Sequence, residues 1–174
     1  MFFYIIYHMP LWMPMIIILL AVIIWPLVMY KLCKKSSFFL KLINLMMTVI
    51  AVLGIFGATV LNRSHYNNEI ILIPFYSFVE ARIQPEMYRT MLMNVFLFFP
   101  LGLCLPYAIS FSGKKNIAFT VLIGFLLSLC IEIFQLVFSC GRCEADDVIC
   151  NTVGTVIGSV SYFIYLLKQE NSSV

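Results

Sequence analysis

Five apolar runs, each close to twenty residues long, leave this chain very few folds. They cover Leu11–Tyr30, Phe38–Leu61, Tyr88–Ile109, Ile117–Phe138 and Val148–Leu167. A helix of about twenty residues crosses the roughly 30 Å hydrocarbon core of a bilayer. In that core no water can satisfy backbone N–H and C=O groups, so only helices and closed barrels span it. The abundance of leucine, isoleucine, phenylalanine and valine favours helices. Composition agrees: 63% of residues are hydrophobic and 11% are charged, whereas a soluble domain carries about 25% charged residues. The expected fold is an all-α integral membrane protein with about five transmembrane helices.

The connections carry the remaining information. The first run has no basic segment before it and no small-residue cleavage site after it, so it reads as a span and not as a cleavable signal. Pro10, Pro14 and Pro26 are expected near its ends, where helix breaks do least harm. Gly54 and Ala58 sit four apart in the second run, a common device for close helix packing. Ile70 to Val79 is apolar but too short to cross, Pro74 interrupts it, and Glu80, Arg82 and Glu86 follow. Ile70 to Met87 is therefore expected to be an interfacial or re-entrant segment. Pro100 and Pro106 predict kinks in the third span. Most aromatic residues are expected to face lipid or the interface. No internal repeat is evident, which argues against a transporter.

Charge placement predicts orientation. The seven lysines fall at one set of span ends, and the four arginines, Arg63, Arg82, Arg89 and Arg142, fall at the other. By the positive-inside rule the lysine side is cytoplasmic, giving an outside N-terminus and a cytoplasmic C-terminus. A net charge of +3, with its basic residues at span ends, excludes nucleic acid as an expected partner. Membrane lipids are the expected surroundings. The six cysteines do not form a secreted disulfide framework. Cys140 and Cys143 make one Cys-x-x-Cys pair, and neither a second pair nor a neighbouring histidine completes a zinc site. Neither His8 nor His65 lies near it in the chain. The sequence names no cofactor, and a metal remains open.

Polar residues inside the apolar runs are the candidate functional groups. An ionisable residue in a span is costly, so its default reading is a buried or functional position. Glu132 and Gln135 share a helix face, which Ser128 and Ser139 extend. Asn151, Gly154 and Gly158 share a face of the last span. Asn94 lies early in the third, and the loop between the last two spans supplies Arg142, Glu144, Asp146 and Asp147. Each has a plain alternative. Glu132 can be a protonated or Arg142-paired packing group, and Gln135 an interhelical hydrogen bond. Asp146 or Asp147 can cap the last helix, and Asn151 with the two glycines can form a close contact. Arg142 can pair with loop acids, or can grip a phosphate or carboxylate in bidentate fashion. Asn94, Glu132, Gln135 and Asn151 are expected to face one interior, with Arg142, Asp146 and Asp147 at its outer rim.

In order and spacing these residues resemble a known family. The matching pieces are Ile73-Pro74-Phe75, then Asn94 with Phe98-Phe99-Pro100-Leu101-Gly102 and Pro106. Ile131-Glu132-x-x-Gln135 follows, and then Gly141-Arg142-x-x-x-Asp146-Asp147-x-x-x-Asn151-x-x-Gly154-x-x-x-Gly158. The pattern is similar to that of the VanZ-like family, named for an accessory factor in resistance to the glycopeptide teicoplanin. It covers roughly residues 70–165, and Glu144 stands where that pattern often has aspartate. The resemblance implies a bacterial plasma-membrane protein with a role in glycopeptide resistance. The expected division is a two-helix transmembrane segment at 1–69, a VanZ-like core of three transmembrane helices at 70–167 and a cytoplasmic tail at 168–174.

Two function classes stay open at this level. In one, Asn94, Glu132, Gln135, Arg142, Asp146, Asp147 and Asn151 form an outer-leaflet site that binds a lipid-linked cell-wall precursor or a lipoglycopeptide. In the other, an intramembrane enzyme modifies such a lipid, with Glu132 or Asp147 as catalytic acid–base or as a ligand of a divalent cation. The charge segregation generates a direct test. In a cysteine-free background, Arg142→Cys should be labelled by an impermeant reagent on intact cells and Lys114→Cys should not. Labelling of position 114 with protection of position 142 would invert the topology.

Overall fold

The computed structural model describes residues 10–33, 37–61, 69–109, 113–139 and 141–172. Lys34, Lys35, Arg63, His8, His65 and Cys140, all discussed above, lie outside the described residues. The chain runs through α1 (Trp12–Cys33), α2 (Ser37–Phe56) and a five-residue π-turn (Gly57–Leu61) that continues α2. Next come a two-residue strand β1 (Ile70–Ile71) and a short helix α3 (Tyr76–Glu80). The last three long helices are α4 (Glu86–Ala108), α5 (Lys114–Val137) and α6 (Ala145–Glu170), with strand β2 (Cys143–Glu144) just before α6. Among the described residues, five helices are long and apolar enough to span a membrane, and the protein is an all-α integral membrane protein. Among the described residues, the segment between α2 and α4 holds β1 and α3, neither long enough to cross.

The middle of the bundle is the pair α4 and α6. In their most apolar 18-residue windows, 61% and 50% of residues are buried inside the protein, against 17% for α1 and 22% for α2. Lipid tails are as apolar as leucine, so helices gain little from hiding apolar surface and must associate through close packing and polar contacts. Glycine supplies the first here. A Cβ added to Gly154 would run into the carbonyl of Val95, and one on Gly158 would meet the backbone of Phe99, Gly102 and Leu103. From the other side, a Cβ on Gly102 would strike the carbonyl of Thr155. Backbone thus lies directly on backbone along this crossing.

Proline contributes to the same contact. Pro106 lacks an N–H and so cannot bond the carbonyl of Gly102 one turn earlier. The hydroxyl of Ser159 on α6 lies 3.4 Å from that carbonyl, while its shorter bond, 2.8 Å, goes to the carbonyl of Thr155 on its own helix. Pro100 and Pro106 both lie within an unbroken α4, and Pro26 lies inside α1, which continues to Cys33 and does not end near the proline.

The other helices pack around this pair. Ile18, Ala21, Val22 and Trp25 of α1 cover Phe99, Leu103 and Cys104. Ile55 of α2 packs with Phe98, Leu101 and Leu105 of α4 and Ile131 of α5. At the lysine-bearing end, Tyr107, Tyr162 and Tyr165 are buried with Met29 and Leu40. The rings of Tyr107 and Tyr162 meet edge to face at 4.9 Å. These tyrosines, with Phe98 and Phe99, depart from the expectation that aromatics mainly face lipid. Asn116, in the first turn of α5, donates to the carbonyls of Pro106 and Ile109 at 3.0 and 3.4 Å and so satisfies the end of α4.

The small-residue pair read from the second run, Gly54 and Ala58, behaves differently. A Cβ on Gly54 would find nothing within 4 Å, so this position makes no close helix contact. The difference predicts opposite responses to bulk. Gly154→Val and Gly158→Val should each destabilise the fold by at least about 1–3 kcal/mol, because the obstruction is backbone that cannot rotate away. Gly54→Ala should leave the melting temperature unchanged or raise it, as alanine is the better helix former. Thermal unfolding in detergent compares the three, and equal losses would place the close crossing elsewhere.

Candidate functional site

Polar side chains gather at the arginine-bearing end of the bundle, where the segment between α2 and α4 folds back over the α5–α6 connection. Two short parallel strands join them, pairing Ile70 with Cys143 and Ile71 with Glu144. The N–H of Cys143 also donates to the carbonyl of Glu69 at 3.0 Å. Beyond Ile73 and Pro74 the chain turns sharply at Phe75, whose φ of 65° is in the left-handed region that non-glycine residues seldom enter.

Asp146 holds that turn. From the first helical turn of α6 its carboxylate accepts the N–H of Phe75 at 2.5 Å and that of Ser77 at 2.7 Å. These are amides at the start of α3, which have no partner inside their own helix. A charged acceptor with two donors is a strong arrangement. The two aspartates were candidates for capping α6 itself. The residue preceding that helix is Glu144, and no side chain caps it. Asp146 serves the start of a different helix, and Asp147 accepts the amide of Asn94 on α4 at 2.7 Å. Both still occupy the first turn of α6, where negative charge suits the helix dipole.

Glu144 links the other parts. Its carboxylate accepts from the Nε of Arg142 at 2.8 Å and from the hydroxyl of Ser77 at 3.2 Å. Its backbone N–H donates to Oε2 of Glu132 at 3.0 Å. Glu132 is buried on α5, with 2% of its surface exposed. Arg142 reaches a second carboxylate, Glu80 at the end of α3, at 3.5 Å. Burial works against the charge of Arg142, but Glu144 and Glu80 outweigh it and hold the guanidinium pKa above its ordinary value. Arg142 pairs with Glu144 and Glu80, and Glu132 accepts from the backbone of the loop.

The remaining candidates are buried and point to other neighbours. Asn151 donates to the hydroxyl of Ser128 at 2.8 Å, one turn below Glu132. Gln135 donates to the carbonyl of Thr59, within the π-turn that extends α2, at 3.0 Å. The structure therefore brings Glu132, Asp146, Asp147 and Asn94 together with Arg142, while Gln135 contacts α2 and Asn151 lies between α5 and α6. Sequence reasoning missed Ser77 and Glu80, both of which touch the cluster. Their signal is faint: a lone serine after Ile-Pro-Phe, and a glutamate that reads as an ordinary span-end charge. Among the described residues, no group of three or more His, Cys, Asp or Glu side chains is placed to hold a metal ion.

Comparison with known proteins bears on this arrangement. The VanZ/LLP1 family description matches residues 12–167, which takes in the first two helices as well as the polar cluster. "Protein VanZ" of Enterococcus faecium is 39% identical over 77 residues, 43% of this chain and 45% of that protein. The chain thus spans less than half the length of that curated relative. No solved structure is significantly similar to the chain.

The acidic surroundings of the loop can be read through Cys143. Burial pushes its thiol pKa up, and Glu132, Asp147 and Glu144 push it further, since each opposes a second negative charge. Its thiolate therefore forms only at higher pH than that of an ordinary cysteine near about 8.5. With the other cysteines replaced, the pH–rate curve for alkylation of Cys143 should lie above that of a free thiol. Glu144→Gln should move the curve down. A curve that stays put in the variant would mean that the carboxylate does not face the thiol.

Proposed function

The chain belongs to the VanZ/LLP1 family, and from that premise we propose that it contributes to bacterial resistance against glycopeptides such as teicoplanin. In this reading the arginine-bearing end binds the anionic or strongly polar head group of a lipid-linked cell-wall precursor or of a lipoglycopeptide. The protein sits in the plasma membrane with its lysine-bearing end and C-terminus in the cytoplasm. The polar cluster then lies in the outer leaflet, where cell-wall precursors meet antibiotics.

The observation that carries this reading is the engagement of Arg142. Its Nε is taken by Glu144 and one terminal nitrogen by Glu80. Among the described residues the other terminal nitrogen faces the sulfur of Met87, at 4.0 Å, and sulfur is a weak acceptor. The side chain is 24% exposed. A guanidinium has five N–H donors in a rigid fork that matches phosphate or carboxylate. Donors remain for such a group, on a cation whose position is already fixed by two carboxylates. Glu132 holds the loop that carries this cation, Asp146 holds the α3 segment beside it, and Asp147 with Asn94 ties the start of α6 to α4. Gln135 and Asn151 fasten α5 to its neighbours beneath it. The site falls within residues 70–167, with residues 1–69 serving as a flanking two-helix segment.

The reading is tested by three variants in a glycopeptide-sensitive host. Arg142→Ala removes the fork, and Glu132→Gln keeps the shape while removing the ionisable carboxyl. Arg142→Lys keeps the charge but loses bidentate geometry. With membrane abundance equal to the parent, the first two should abolish protection against teicoplanin and the third should retain only part of it. If Arg142→Ala and Glu132→Gln both protect as well as the parent, the cluster is a packing device and the function lies elsewhere.

A further inference from the structure

The short helix α3 is built inside out. Glu80 and Ala81 follow Ser77 by three and four residues, so the three share one face. Ser77 and Ala81 are buried against the protein, and Glu80 pairs with Arg142. The opposite side carries Tyr76, Phe78 and Val79, all exposed. The approach to α3 is similar. Leu72, Ile73 and Phe75 are exposed, and the Phe75 ring leans on that of Phe78 at 6.1 Å. In water a surface helix turns its apolar stripe to the core and its polar side outward. Here the polar side meets protein, and the apolar side needs an apolar partner of its own.

The contacts of α4 give the depth of this face. Asp147 meets Asn94, eight residues beyond Glu86 at the start of α4, or about 12 Å along the helix axis. Asp146, the residue before it, holds the amides of Phe75 and Ser77. Helix α4 is about 33 Å long, close to the roughly 30 Å hydrocarbon core, so its first turn marks the edge of that core. The Phe75 turn therefore lies roughly 10 Å inside it. From there the chain climbs back: Ala81 packs with Met91, and Glu80 reaches Arg142 beside Met87.

Irregular backbone at such depth is tolerated where its polar groups find partners within the protein. The amides of Phe75 and Ser77 go to Asp146, and those of Tyr76, Ala81, Arg82 and Ile83 go to backbone carbonyls. A segment riding in water would need no buried carboxylate for that purpose.

We propose that residues 72–79 form a re-entrant lip sunk among the acyl chains of the leaflet at the arginine-bearing end, with lipid as the partner of its outward face. Burial of that face in hydrocarbon favours the dip, and Asp146 removes the penalty that two bare amides would impose. Arg82 and Gln84, both exposed, bring the chain back to the head groups, where a long cationic side chain keeps its charge in water. The inference stands apart from the head-group reading, because it concerns the outer face of α3 and not the donors of Arg142.

The experiment uses the purified full chain with Trp12 and Trp25 replaced by phenylalanine and one tryptophan introduced at a time. Phe78→Trp probes the lip. Leu129→Trp, on the exposed side of α5 and eight residues before its end, is the reference for hydrocarbon. Gln84→Trp is the reference for water. Each is placed in phosphatidylcholine vesicles, plain or brominated along the acyl chains, and titrated with iodide on both sides of the membrane. Brominated chains should quench position 78 by as large a fraction as position 129, and iodide should quench it no more than position 129. Should Phe78→Trp fail to fold, Val79→Trp takes its place with the same expectations. Iodide quenching equal to that of position 84 overturns the proposal. Protection from both quenchers, as a second copy of the chain seated on this face would give, overturns it as well.

Discussion

The direct approach of α4 to α6 sets the position of nearly everything else in this bundle. Gly102, Gly154 and Gly158 leave no side chain between the two backbones. In water such an approach would give up apolar burial. In lipid it gains dispersion contacts that no larger side chain could provide at this distance. The crossing fixes the start of α6 against the early turns of α4, where Asn94 meets Asp147. It also holds Ser159 over the carbonyl that Pro106 leaves unbonded. The remaining long helices are attached to this pair, and the polar end is built on top of it.

At that end the governing requirement is satisfaction of backbone amides outside regular structure. The segment between α2 and α4 is too short to complete its own hydrogen bonds, so α6 and the preceding loop complete them. Asp146 takes two amides, Glu144 takes the hydroxyl of Ser77, and Glu132 takes the amide of Glu144. The acids therefore shape the loop before they do anything else. A cation placed by such a frame is preorganised, and in the proposed role Arg142 would have little freedom left to give up on binding.

Much of this was legible in the sequence, for reasons that differ between elements. The five spans were, because twenty apolar residues in a row have one stable outcome in a bilayer. Their ends were not, since α6 begins at Ala145 and continues to Glu170, through polar residues that hydropathy counts as loop. Glu132 and Asn151 announced themselves as buried because hydrocarbon tolerates no unpartnered carboxylate or amide, whereas Asp147, read as a capping or rim residue of the loop, is buried as well. Their partners stayed hidden, since a backbone amide such as that of Phe75 or Glu144 leaves no mark on composition. Gly54 shows the limit of spacing rules. A small residue permits close approach, but whether another helix takes the offer is decided by how the helices are arranged around it. Asn116 and the tyrosines beside it went unnoticed because a polar group near a span end looks like an ordinary interfacial residue.

The strand pairing and the grip of Asp146 also bear on how the protein is made. Asp146 and Phe75 are 71 residues apart in the chain. At about 5–20 residues per second, synthesis separates their appearance by roughly 4–14 s. Throughout that interval the segment between α2 and α4 has left the ribosome with its amides bare, and hydrocarbon would not accept it. Water at the membrane surface must hold those amides until α6 arrives. The polar end therefore cannot be complete before the start of α6 has been made. A chain stalled before that helix would expose the unpaired Phe75–Ser77 turn, a ready mark by which membrane proteases could tell an unfinished copy from a complete one.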